Sequence, residues 1–462
     1  MVCTLTSGED PRDLVELTLD AELHDVSAQL ALANKYQFPS DLFHENRDSA
    51  MYWYLRAARR GNVKAQLRVA EMHQKSSVTL GRDDDNDEDE DNDHDNDQTA
   101  SARHYLIQAA HWYREAALQG DVLAQNRLAL MYDDGEGVEQ SDTEAFYWYR
   151  EAAKRGYAVA QYNLGLMYYH GQGVEEDDAQ AAVWFLKAAE QDYCQARLRM
   201  AYLYRDGRGV AQADVVKAAQ WMREVAEQGH ADAQYDLAHM YHAGRGVEQD
   251  YVLAAEWYRR SAEQGFALAQ TNLGCMYDHG EGVEQSDTEA MSWYRRAAEN
   301  DDIIGQNNVA WMYDLGQGVQ QSDLLAWHWF ERSASSGYMA AQFSMGSFLE
   351  LGQSMERSDE AALDWYVKAA EQGEKDAIVH RELMETEDRR AVKSDTDFVA
   401  WHRQKAEDGN AAAQYNLGLM LEKGLLGVER DLRQAAEWYG KATEQDHENG
   451  RQRRNFLARE NP

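Results

Sequence analysis

Nine polar or charged side chains recur at one register along the sequence: Arg68, Arg127, Asn163, Arg199, Asp236, Asn272, Asn308, Ser344 and Asn416. Each stands three residues after a small residue, an alanine or Gly305, that opens an apolar-periodic segment. An asparagine offers both donor and acceptor, so a row of them can hold an extended peptide by its backbone. Arginines toward the N-terminal end can engage carboxylates through paired N–H bonds. The same asparagines can also serve the fold by bonding a neighbouring turn. Other chemistry finds less support. Repeated Gly-x-Gly-Val strings, such as Gly135 to Val138, have no following Lys-Ser/Thr and lie between helical patterns, so they read as turns and not as a phosphate loop. His230, His239 and His242 fall close together but lack the i, i+4 pairing with an intervening glutamate that zinc hydrolases use; scattered surface histidines are the plainer reading. Cys194 and Cys275 have no basic or histidine neighbour to activate a thiolate and read as small core residues. Neither a catalytic centre, a metal site nor a cofactor is expected, and the ladder is the candidate partner-binding surface.

The elements that carry this ladder follow from a tryptophan period. Trp112, Trp148 and Trp184 are 36 residues apart, and Trp221, Trp257, Trp293, Trp329, Trp365 and Trp401 keep that spacing, with one extra residue before Trp221 and another before Trp438. A fixed period of this size marks an array of supersecondary units, each buried against its neighbours. In the unit from Asp121 to Gly156, Ala124, Leu128, Met131 and Tyr132 share one face of a first helix. Gly135 and Gly137 bracket a turn, and Val138 returns the chain to the core. Asp142 is the expected N-cap of a second helix that buries Ala145, Trp148, Tyr149, Ala152 and Ala153. An Ala-Gln pair opens the first helix at Ala65, Ala124, Ala160, Ala233, Ala269, Ala341 and Ala413. The segment from Gly135 to Ala145 is identical to that from Gly280 to Ala290, which indicates internal duplication.

A string such as Ala160 to Asp192, AQYNLGLMYYHGQGVEEDDAQAAVWFLKAAEQD, resembles the Sel-one-like repeat, a relative of the tetratricopeptide repeat. The resemblance covers roughly residues 24 to 446. It implies an α/α solenoid acting as an adaptor or scaffold for protein complexes. The resulting expectation is an all-α, right-handed superhelical solenoid of about eleven helix-turn-helix repeats of 36 residues, between an N-terminal segment (1–23) and a basic tail or cap (447–462). In the related tetratricopeptide proteins the first helices line a concave groove, which is where the ladder would bind protein or peptide segments. Two alternatives come with the resemblance: an interaction effector delivered to a host, and a β-lactamase-like hydrolase of the cysteine-rich secreted branch. The paired cysteines of that branch are missing here, since the chain has only 3 cysteines.

Composition narrows the partners. The formal net charge of −36 argues against nucleic acid, whose phosphates would be repelled, and favours basic protein partners. Scattered cysteines favour a reducing compartment, and neither a secretory signal nor a membrane-spanning run is visible, so a cytoplasmic location is expected. The period also breaks. Trp53 and Trp112 are 59 residues apart, and the insertion (74–101) contains Asp83 to Asp97, with nine Asp, two Glu and no apolar side chain. Such a run cannot offset the entropy of ordering and is expected to be a disordered loop. From Ala377 to Ala400 the spacing holds while the glycine turn is lost, which suggests a local change of curvature or a contact surface peculiar to that unit.

Overall fold

The computed structural model describes residues 11–37, 46–80, 92–353, 355–390, 392 and 394–460. Among these residues every regular element is a helix, and the helices fall into two compact units, Met1–Val225 and Ala226–Pro462. The first unit holds α1 (Pro11–Glu22), α2 (Val26–Gln37), α3 (Arg47–Ala58), α4 (Val63–Leu80), α5 (Asn92–Leu118), α6 (Val122–Asp134), α7 (Asp142–Lys154), α8 (Ala158–His170), α9 (Asp178–Ala189), α10 (Cys194–Asp206) and α11 (Val215–Glu227), whose last turn crosses the division. The second holds α12 (Ala231–Ala243), α13 (Tyr251–Glu263), α14 (Ala267–His279), α15 (Asp287–Glu299), α16 (Ile303–Leu315), α17 (Asp323–Ser335), α18 (Met339–Leu351), α19 (Asp359–Glu371), α20 (Lys375–Met384), α21 (Glu387–Arg390), α22 (Asp395–Glu407), α23 (Ala411–Lys423), α24 (Leu432–Thr443) and α25 (Glu448–Glu460). Within each unit successive helical hairpins pack on one another, an all-α repeat solenoid.

The hairpin α6–α7 shows why this sequence folds so. Asp121 caps α6 by accepting the Ala124 N–H at 2.8 Å, and Gly135 ends it in the left-handed region at φ 72°. The expected cap of α7 is corrected by one residue. Ser141 is the extended N-cap and accepts the Glu144 N–H at 3.3 Å. Asp142 is instead the first helical residue, where its charge complements the helix dipole. The second glycine of each turn has a packing reason beyond its φ. A Cβ on Gly173 would overlap the carbonyl oxygen of Asp142, where the turn of one hairpin meets the start of the preceding second helix. Gly282 meets Tyr251 in the same way.

The recurrent Ala-Gln pair is a hydrogen-bonding device. Gln125, Gln161, Gln234, Gln270 and Gln414 are buried, and each donates its amide to a carbonyl near the end of the preceding second helix, Gln270 to Ala262 O at 3.0 Å. Gln29 bonds Ala21 O in this manner at 2.9 Å. Helix α1 thus stands as a second helix to α2, and the repeat packing begins before residue 24.

Two breaks look different in three dimensions. Of the acidic insertion, residues 81–91 lie outside the described residues, but the expected disorder does not hold for its flanks, because 74–80 continue α4 and 92–101 begin α5. The extension of α4 is held from outside: Arg47 Nη2 donates to Ser76 Oγ at 2.7 Å, and the Tyr113 hydroxyl donates to Gln74 Oε1 at 3.2 Å. Between α20 and α22 the short helix α21 takes the place of the glycine turn. Its Arg389 is buried, donates to Asp359 Oδ1 at 2.7 Å and lies over the Phe398 ring.

Candidate functional site

The ladder sits on the first helix of each hairpin, fourteen residues after the second-helix residue that follows the tryptophan, as in Tyr149 to Asn163 and Tyr258 to Asn272. Four members lie in the first unit. Arg68 and Arg127 are exposed there, while Asn163 and Arg199 are half-buried. Arg127 lines a cleft of about 770 Å³ together with Arg47, Lys75, Glu71 and the buried Tyr113, and Met72 and Val78 supply an apolar wall. Arg47 reaches it from α3 and is fixed by the Met72 carbonyl at 3.0 Å. Arg68 pairs with Glu71 at 2.8 Å. Burial and the Glu71 charge push the Tyr113 phenol up to about 12, against the pull of Arg127. Three cations therefore converge on a cleft that holds one carboxylate.

The asparagines have a structural use as well. Burial pushes the Tyr149 phenol above its usual range, and a hydrogen bond to Asn163 pulls it back. Asn272 does the same for Tyr258 and Tyr235. A ladder asparagine therefore satisfies the buried tyrosine of the hairpin before it.

In the second unit Asp236, Asn272 and Asn308 are half-buried. Ser344 is buried and donates to Ala340 O at 3.1 Å. Asn416 is fully buried, its amide 3.2 Å from His402 Nε2, so it does not line an open groove as the sequence suggested. The reason is that α18, α20 and α23 pack against one another here, which turns this face into interior.

Two ladder members escaped sequence reasoning. His380 and Arg453 stand fourteen residues after Tyr366 and Tyr439, but Ala377-Ile378 and Gly450-Arg451 replace the Ala-Gln signal before them. Counting from the tyrosines finds both. Arg453 is fully buried on α25, forks onto Asp314 Oδ2 and Glu422 Oε1, and lies over the Trp311 ring. Lys423 Nζ reaches Asp314 Oδ1 and Asp323 Oδ1, both at 2.8 Å. Burial opposes the charge on Asp314, yet Arg453 and Lys423 hold its carboxyl below the ordinary range. Beside this clamp His380 Nε2 faces His447 Nε2 at 3.2 Å, with Glu350 behind the first ring and Asp376 behind the second. Asp314, Glu350 and Glu422 each lie six residues beyond a ladder position, an acidic counter-row on the same helices.

The remaining candidates resolve simply. His242 Nε2 pairs with Glu281 at 3.0 Å, and His230 precedes α12. Among the described residues no group of three or more His, Cys, Asp or Glu is placed to hold a metal ion. Cys275 accepts a hydrogen bond from the Tyr294 hydroxyl at 3.2 Å, and burial pushes its thiol up, the reverse of activation. No described helix is long and apolar enough to cross a membrane.

The Sel1 repeat model matches residues 26–62, 106–121, 122–157, 158–193, 194–230, 231–266, 267–302, 303–338, 340–374 and 411–447. The chain belongs to the Sel1 repeat family. Most of the ten matched repeats coincide with a hairpin, and the two long internal unmatched stretches, 63–105 and 375–410, contain the insertion and the segment that lacks the glycine turn. Among solved structures it is similar to c5321 of uropathogenic Escherichia coli, described as a protective antigen with this fold. The two are 32% identical, with 97% of this chain and 91% of that chain covered and a TM-score of 0.70. A Sel1 repeat protein from Oxalobacter formigenes is 27% identical over 74% of this chain and 94% of its own, with a TM-score of 0.55. No curated protein matches the chain. Sel1 repeat proteins commonly serve as protein-interaction scaffolds.

Proposed function

We propose that this Sel1 repeat chain is a non-enzymatic, cytoplasmic scaffold whose N-terminal unit holds a carboxylate-bearing protein segment in the cleft of Arg47, Lys75 and Arg127. The observation that carries the reading is the convergence of three cations on an open cleft in a chain of net charge −36. Negative charge elsewhere disfavours acidic partners in general, so a cleft of opposite sign selects both a partner and a register. Arg68 would extend the contact and Asn163 would meet the peptide backbone, while Arg199 continues the row. Fluorescence anisotropy with a panel of labelled acidic and basic peptides tests it. Acidic peptides should bind with an affinity that falls as salt rises, and Arg127→Glu with Lys75→Glu should weaken binding at least tenfold. Binding confined to basic peptides, or unchanged by the charge reversal, would sink the proposal. A second reading is favoured by the 32% identity to a protective antigen: a chain delivered to a host as an interaction module, with the same cleft as its contact. A secretion assay in the native organism separates the two locations.

A further inference from the structure

The cleft of Arg47, Lys75 and Arg127 owes one wall to a helical extension. In α6, α8, α14 and α18 a left-handed glycine ends the helix eleven residues after the small residue that opens it, as Gly135 follows Ala124. Counted from Ala65, that place is Ser76, yet α4 continues to Leu80. The extra turn is built into the fold. Ser77 is buried and its hydroxyl donates to Gln74 O at 2.7 Å, while Arg47 holds Ser76 from α3. The extension brings Val78 and Thr79 to the cleft, at the places where the next hairpin has Gly137 and Val138. Val78 is 51% exposed, a branched apolar side chain in a cleft of three cations.

The spacing on α4 restricts what can cover that side chain. Lys75 and Val78 are three residues apart, so they share one helix face with Cβ atoms about 5–6 Å apart. In an extended peptide, side chains two residues apart point to one side and are separated by about 6.6 Å, whereas adjacent ones point to opposite sides. An acid that pairs with Lys75 therefore places its second neighbour, and not its first, over Val78. The peptide backbone has partners as well. Gln37 and Gln74 both line the cleft, and each accepts a tyrosine hydroxyl at Oε1, from Tyr54 at 2.7 Å and from Tyr113 at 3.2 Å. With the oxygen engaged, the amide N–H groups are the ends that can meet a peptide carbonyl.

We propose that the protein segment held in this cleft carries an aliphatic residue two positions from its acidic one. Arg47, Lys75 and Arg127 take the carboxylate, and Val78 with Met72 covers the aliphatic side chain. The inference rests on the cleft being a carboxylate site and adds a sequence pattern to the partner's charge. Cations alone would accept any acidic segment; an apolar contact at a set distance excludes most of them.

Fluorescence anisotropy on the full-length chain at about 150 mM salt, where diffuse repulsion by a chain of this charge is screened, tests the pattern with labelled peptides of one composition. Two place Asp-Ala-Leu or its reversal, Leu-Ala-Asp, in a Gly-Ser context, and the control places Asp-Leu-Ala there. A further peptide carries Asn for Asp. One of the first two should bind at least fivefold tighter than the control, and Asn for Asp should weaken it at least tenfold. Val78→Asn should reduce the preference for the ordered peptide to less than twofold at unchanged circular dichroism. If that variant fails to fold, the order dependence in the unaltered chain decides. Equal binding of the ordered and control peptides, both weakened by Arg127→Glu with Lys75→Glu, overturns the pattern and leaves the carboxylate cleft standing. Failure of every Asp peptide to bind, or equal binding of the Asn peptide, overturns both.

Discussion

A single buried glutamine shows how much of this array rests on one side chain per hairpin. Gln270 is 4% exposed, donates to Ala262 O at 3.0 Å and accepts from Asn300 Nδ2 at 3.2 Å. Gln264 bonds Gln234 and Gln372 bonds Gln342 in the same way, so the amides link one hairpin end to the next. Gln270→Leu keeps the volume but strands a carbonyl and an amide, and should destabilise the second unit by about 1–3 kcal/mol in urea unfolding; no change in midpoint would mean that water satisfies both groups. Trp257, 8% exposed with Arg260 stacked at 4.3 Å, should cost about 3–5 kcal/mol as Trp257→Ala. The tryptophans were legible because a single 36-residue period reports a local fact, a bulky ring on each second helix. Glutamine was visible as a pattern, but its role was not, because its partner carbonyl belongs to another helix. His380 and Arg453 were missed for a related reason: the ladder was tracked by the residues that open each first helix and not by distance from the tyrosine it contacts.

At the scale of an element, α25 is the helix on which the second unit's interior charges depend. Replacing Arg453 by methionine would leave Asp314 buried with Lys423 alone and Glu422 buried without its ion-pair partner, a loss of about 3–5 kcal/mol by the usual measure of a broken buried pair. Acid should act on the same helix. Burial pushes His447, just before α25, down to about 3, although Asp376 pulls the other way. The folded state therefore keeps that ring neutral while an unfolded chain protonates it near 6.5, so stability falls as pH drops from about 6.5 toward 3. Asp314 and Glu350, both held below the ordinary carboxylate range, add a loss that begins as pH falls below about 4. Thermal unfolding between pH 7 and pH 4 should show a decline that is shallower in His447→Gln above pH 5. An identical slope in the variant would show that His447 does not set the acid sensitivity in this range. The basic character of 447–462 was evident from composition. That one of its arginines would be interior was not, because burial of its charge depends on acids from other helices, Asp314 being 139 residues away.

The two units differ in how their contacts are distributed along the chain. In the first unit the described polar contacts join a hairpin to itself or its neighbour, as Arg208 on Asp178 and Tyr169 does. Stability then approximates a sum of local terms, and the ends of such an array can open without the middle. The second unit adds contacts that skip hairpins. Arg453 meets Asp314 across 139 residues of sequence, Lys423 meets Asp323 across 100, and Arg459 meets Asp278 across 181. These ties make α14, α16, α23 and α25 mutually dependent, which should convert graded opening into one cooperative event. The repeat family announces the first behaviour from sequence, because each unit resembles the next. It is silent on the second, because no local period records where the path of the helices returns on itself. Native-state hydrogen exchange distinguishes them. Protection should vary along the first unit, lowest toward α1, but should be nearly level from α16 through α24. In Arg453→Met the level region should break into a gradient falling toward α25, with α6 to α9 unchanged. A gradient already present in the unaltered chain would show that the long-range ion pairs contribute geometry without cooperativity.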